Sequence, residues 1–178
     1  MARRRYRRYR RRSSRWAANI QEINGSLNAS PGIFSQAETI LTNPAQSPNL
    51  VTQVYTIKNV EVTFNLDFEG STVSAVNDIE AVTAYIMYVP QGMNITGNYN
   101  IEHPEYIMTY RYLGSPTIDN NGQQYQPYKI RTRLARKLQS GDNVILFIKG
   151  TNQNNNNTYA LRLSGLVHQR TKPDNLKA

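Results

Sequence analysis

The chain contains no cysteine. Disulfides, thiolate nucleophiles and cysteine-ligated zinc are therefore excluded, as suits a reducing compartment. No stretch approaches the roughly twenty consecutive apolar residues of a membrane-spanning helix, so no membrane insertion is expected. Histidine is scarce, with only His103 and His168, far apart in sequence. Glu102, His103 and Glu105 lie together in IEHPE, but Pro104 breaks the regular spacing that a pair of metal ligands needs. No phosphate-binding glycine loop and no nucleophile elbow occurs. The sequence thus predicts a protein that is not an enzyme and carries no metal or cofactor. The first fifteen residues lack two further things, acidic side chains and lysine. They are followed by no apolar core of a secretory signal, and they have no apolar face of the kind a mitochondrial targeting helix shows.

What those fifteen residues do hold is arginine: Arg3, Arg4, Arg5, Arg7, Arg8, Arg10, Arg11, Arg12 and Arg15 in MARRRYRRYRRRSSR. The net charge is +9 from 21 basic and 12 acidic residues, so without these nine arginines the rest of the chain balances, 12 against 12. Charges this dense repel one another and bring little apolar surface to bury, so the arm is expected to be disordered when free. It calls for a densely anionic partner. The guanidinium fork grips phosphate oxygens in pairs, where a surface that needed only positive charge would serve as well with lysine. Tyr6, Tyr9 and Trp16 are interleaved with the arginines, and their faces suit stacking on unpaired bases. Single-stranded nucleic acid is the expected partner. If each arginine neutralises one phosphate, affinity should fall with salt at a log–log slope of about six. A run of this kind also serves as a nuclear-import signal or a solubilising tail.

Residues 17–49 read as a linker, partly packed, because Asn, Ser, Gly and Pro recur in NGSLNASPG and TNPAQSPN; one short strand is expected near Glu38 to Thr42. The clearest signal follows. Val60, Val62, Phe64, Leu66 and Phe68 alternate with polar residues, the period of a strand with one face on a core. Val54 to Lys58 belongs to that strand or to a partner, and Gly70 and Ser71 close it. Ala81 to Val89 is apolar on both faces and predicts a strand covered on both sides. Glu105 to Leu113 predicts a strand with Tyr106, Met108, Tyr110 and Tyr112 on one face, Gly114 to Gln126 is turn chemistry, and Tyr128 to Leu134 is again strand. Ser140, Gly141 and Asp142 make a turn before a buried strand at Val144 to Lys149. After the Asn-rich residues 150–158, Tyr159 to Val167 alternates once more. Only Arg133 to Gln139 has any helical character. The fold class is all-β, an antiparallel sandwich or barrel, with a body over 50–170 and a C-terminal tail over 171–178.

In YKIRTRLARK, Lys129, Arg131 and Arg133 share one face of a predicted strand, with Arg136 and Lys137 close behind. These five are candidates for a second phosphate-facing stripe, the alternative being a solvated face held by salt bridges. Arg170 and Lys172 read as part of a surface tail.

The Arg-rich arm with interleaved aromatics, the Pro/Asn linker, VEVTFNLDF, AVTAYIMYV, SGDNVILFIKG and YALRLSGLVHQRTK together resemble, in order along the chain, the capsid proteins of small circular single-stranded DNA viruses, circoviruses and their relatives. The resemblance implies a single eight-stranded jelly roll that self-assembles into a small icosahedral (T=1) shell. The arm would turn inward onto a single-stranded DNA genome, although its chemistry suits RNA equally. It further implies localisation to the virion and, during assembly, to the host nucleus through import receptors; the host-cell receptor is not indicated. In a shell of about sixty copies the arms would supply roughly 540 positive charges on the same one-for-one counting. Two other readings are a cellular nucleic-acid binder or chaperone whose β body binds through Tyr106, Tyr110 and Tyr112, and a jelly-roll carbohydrate-binding or hydrolytic protein.

Overall fold

The computed structural model describes residues 16–43, 54–68, 78–116 and 126–174. Nine strands occur among them: β1 (Ala17–Ala29), β2 (Gly32–Thr42), β3 (Val54–Phe68), β4 (Ile79–Val89), β5 (Ile107–Gly114), β6 (Tyr128–Thr132), β7 (Arg136–Leu138), β8 (Asn143–Asn152) and β9 (Tyr159–Asp174). One sheet runs β1-β9-β3-β6, with β7 also paired to β3, and the other runs β2-β8-β4-β5. Every pairing is antiparallel. Two interleaved four-strand paths of this order are the jelly roll expected from the sequence. The ninth strand arises because β6 and β7 share one place along β3, opposite Val60–Phe64 and Tyr55–Ile57 respectively.

The alternation in β3 does what its period demands. Val60, Val62, Phe64, Leu66 and Phe68 are buried and face Leu146, Ile148, Val82, Ala84 and Ile86 of the opposite sheet in one core. Each fully buried Phe or Leu contributes about 1.5–3 kcal/mol. Tyr55 to Lys58 belongs to the same strand, across a bulge between Lys58 and Glu61. The bulge is centred on Asn59, in the left-handed region at φ 53°.

Residues 17–42 are not a linker, contrary to the compositional reading. β1 pairs with β9 through thirteen residues, and β2 pairs with β8 from Gly32 to Thr42. Both are edge strands. Their outward positions face water and take Asn, Ser and Gln at little cost, whereas only Ile23, Leu27, Ala29, Phe34 and Ile40 need be apolar for the core. Residues 44–49 of the expected linker, like Gly70 and Ser71 and most of Gly114 to Gln126, lie outside the described residues. The expected tail is also corrected in part, because β9 continues through Thr171–Asp174 against β3. Arg133 to Gln139 is not helical; Arg136–Leu138 is the strand β7.

β4 is covered on both sides because the chain after Pro90 folds back over the outer face of its sheet. A single-turn helix α1 (Tyr99–Glu102) and a turn of 3-10 helix at Pro104–Tyr106 lie there. They close a second small core of Met87, Val89, Tyr99, Ile145 and Phe147. Tyr99 is fully enclosed. The four-residue face proposed for β5 is broken, because the pairing skips Met108 between Ile86/Thr109 and Met87/Ile107. Met108 joins the main core while Tyr110 and Tyr112 point to solvent, 67% and 65% exposed. Tyr106 is packed against Tyr88 and stacked on His103.

Burial holds the Tyr99 phenol up at about 12, and burial with a hydrogen bond to Asp142 raises that of Tyr88. Both stay protonated in the fold at pH values where the unfolded chain ionises. Their contribution is complete below pH 10 and is lost as pH rises toward the folded values. Melting midpoints at about pH 9 and about pH 11 check this. A fall is expected, and a smaller one in Tyr99→Phe.

Candidate nucleic-acid interface

The outward side of the β1-β9-β3-β6 sheet follows from its register. Because Ile57, Val60, Val62, Leu138, Ile130 and Val167 enter the core, their strand neighbours Thr56, Lys58, Glu61, Lys137, Lys129, Arg131, His168 and Arg170 face away from it. The pairings set these side chains in rows across the sheet: Arg131, Glu61, His168 and Ile20; Lys58, Arg170 and Ala18; Lys137, Thr56 and Lys172. Six cations, Lys58, Lys129, Arg131, Lys137, Arg170 and Lys172, thus gather at one end of one face, with Glu61 among them. A shallow groove of about 280 Å³ crosses them, lined by Ile20, Asn59, Glu61, Arg131, His168 and Arg170 among others.

The arm begins at this same end. Trp16, the last of its aromatics, precedes β1 directly, and Lys58 Nζ sits 3.9 Å from its ring centroid. That cation–π contact is worth about 0.5–1 kcal/mol at an exposed site. It sets the indole on the basic face. Tyr6, Tyr9 and all nine arginines from Arg3 to Arg15 lie outside the described residues.

The five candidates of YKIRTRLARK separate. Lys129 and Arg131 stand on the basic face, and both are drawn to Glu61, at 2.7 Å and 3.8 Å. This is the salt-bridged alternative, with the cations still more than half exposed and therefore bound weakly. Lys137 is on the same face by way of β7. Arg133 lies just past the end of β6 and is exposed. Thr132 Oγ1 donates to the Met108 carbonyl and accepts from Leu134 N–H, both at 3.1 Å, and the strand ends there. Arg136 turns to the other side of β7, where its guanidinium lies 4.8 Å from the Tyr88 ring centroid and donates to the Glu105 carbonyl at 3.0 Å. It holds the covering segment 90–106 to the sheet.

Sequence reasoning missed Lys58, His168, Arg170 and Lys172 as members of this face. The signal was available for β9, since Arg162, Ser164, Leu166, His168, Arg170 and Lys172 keep strict alternation. It was masked because the inward partners at that end, Gln169 and Thr171, are polar. Gln169 is 5% exposed and its Oε1 has no hydrogen-bond partner.

The IEHPE residues do not converge on a metal. His103 Nδ1 pairs with Glu105 at 3.3 Å while Glu102 accepts from Thr96 Oγ1. Among the described residues no group of three potential ligands gathers anywhere.

No family model matches the chain, and no curated protein matches it in sequence. Among solved structures it overlays on that of Turnip yellow mosaic virus at 12% identity, covering 92% of this chain and 99% of that one, with a TM-score of 0.35. Desmodium yellow mottle tymovirus gives 12%, 91% of each chain and 0.32. The decameric BFDV capsid protein gives 8%, 89% of this chain, 99% of that one and 0.37. Overlays this loose carry no weight for function, and the strand order rests on the pairing within the chain itself.

Proposed function

We propose that this chain is a viral capsid protein that assembles with copies of itself into a small closed shell and packages single-stranded nucleic acid, DNA by resemblance. The division of charge supports this reading. A jelly-roll body with balanced charge can pack against its own copies without long-range repulsion, while nine arginines and the basic sheet face engage phosphates. The observation that carries it is the placement of Trp16 on Lys58, which roots the arm among six cations of the body. On this reading the basic sheet face is turned to the inside of the shell, the side on which the arm meets the genome. The arm doubles as an import signal for assembly in the host nucleus.

Electron microscopy of the purified full-length protein, with the ultraviolet absorbance ratio reporting co-purified nucleic acid, tests the proposal. Uniform closed particles carrying nucleic acid are expected. A monodisperse monomer at high concentration, with and without added single strands, would sink the capsid reading. Tyr110 and Tyr112, exposed on the opposite sheet, favour a second reading as a non-viral single-strand binder. That reading requires Tyr110→Ala with Tyr112→Ala to weaken binding about as much as loss of the arm does.

A further inference from the structure

His168 is the histidine of the basic face, and imidazole is the side chain whose charge ordinarily changes between about pH 5 and 8. It is exposed and lines the basic groove together with Glu61, Arg131 and Arg170. The register fixes its surroundings. Glu61 of β3 stands directly opposite, with Arg131 of β6 beyond it, and Ile20 of β1 stands on the other side. Cross-strand neighbours of this kind have Cβ atoms about 5 Å apart. Along β9, Leu166 and Arg170 share the side of His168. The row through Leu166 carries Glu22, Thr63 and Lys129, and the row through Arg170 carries Ala18 and Lys58. Two carboxylates, Glu61 and Glu22, thus favour a proton on the imidazole, and four cations, Arg131, Lys129, Arg170 and Lys58, oppose it. Glu61 is held by Lys129 at 2.7 Å, on the side away from β9. An anion added beside His168 and Arg170 joins the carboxylates and shifts the balance toward the imidazolium.

We infer that His168 and Arg170 form a proton-linked phosphate seat, in which one phosphate of the bound strand lies between them and His168 takes up a proton as it binds. The imidazolium then donates to a phosphate oxygen alongside the guanidinium. The complex holds more protons than the free protein, so linkage requires affinity to rise as pH falls through the histidine range. Arginine keeps its charge throughout that range, so the arm adds no such dependence. The inference rests on the nucleic-acid reading above and deepens it with a regulation. The sheet face grips its strand in mildly acidic surroundings and loosens it in mildly alkaline ones.

The test titrates the full-length protein with oligo-dT at about pH 5.5 and about pH 8, at a salt concentration where the arm's phosphate contacts are largely screened. The native chain is expected to bind about fivefold tighter at the lower pH, the worth of one exposed ion pair. Its salt slope there should be steeper by about 0.7, for one further phosphate neutralised. His168→Gln should bind alike at both pH values, with the native affinity at the higher pH. His168→Arg should also bind alike at both, with the native affinity at the lower pH. The side chain is exposed, so both variants keep the core. Calorimetry in two buffers of different ionisation enthalpy counts the protons, and near neutral pH the native chain should take up a fraction of a proton that His168→Gln does not. His103 lies in the segment covering the opposite sheet, so His103→Gln should retain the pH effect. Equal native affinity at both pH values, or a pH effect that survives in His168→Gln, would overturn the inference while the nucleic-acid reading stands. No single-strand binding at either pH would overturn both, so the two failures are distinguishable.

Discussion

Full-length protein with its nine arginines from Arg3 to Arg15 replaced by glutamine is expected to lose single-strand affinity by about three to five orders of magnitude at low salt, and its salt slope by about six. Each arginine that neutralises a phosphate on a single strand releases about 0.7 of a counterion, so nine set the slope. The body's own cations contribute the smaller share, being six against nine with Lys129 and Arg131 partly engaged by Glu61. Filter-binding titrations at several salt concentrations measure both quantities. The body should keep its melting midpoint, because the nine described strands begin only at Ala17. Particles formed by such a variant would be empty. A slope unchanged by the replacement would transfer phosphate binding from the arm to the sheet.

Asp142→Ala is expected to destabilise the fold by about 3–5 kcal/mol and to lower the melting midpoint by about 10 °C, the consequence of leaving buried donors without an acceptor. The carboxylate is buried and accepts three hydrogen bonds, from Tyr88 O–H at 2.7 Å, Gln91 N–H at 3.0 Å and Gln139 N–H at 2.7 Å. Its own carbonyl accepts from Asn43 N–H at 2.9 Å. Its side chain thereby ties the turn after β4 to the turn into β8, and its backbone adds the end of β2. Gly141 makes that turn feasible. Its φ is 86°, and a Cβ there would meet Gln91 side-chain atoms at 2.6 Å. Asp142→Asn keeps an acceptor and should recover part of the loss. Thermal unfolding of the three proteins checks the order, with alanine lowest. A midpoint for Asp142→Ala within about 2 °C of the native protein would mean that water replaces the carboxylate there.

The Ser140, Gly141, Asp142 turn was legible because turn chemistry is local, and so were the strands β3, β4 and β8, whose inward residues are nearly all apolar. β1 was not legible as a strand, and of β2 only the end expected near Glu38 to Thr42 was. An edge strand buries one side only, and here that side is partly polar or small, so composition resembled a linker. The basic stripe was legible in part. Alternation placed Lys129 and Arg131 together, while Arg136 fell away because β7 turns its first residue inward.

The sequence by itself determined the all-β class, the separation of charge between arm and body, and the absence of thiol chemistry, because each depends on residue identity or on a period of two. Only the tertiary structure decided which cations share a face. Lys58, Lys129, Arg131, Lys137, Arg170 and Lys172 come from four strands spread over more than a hundred residues. Cross-strand register, bulges included, is set by packing two sheets on one core, and no local pattern encodes it.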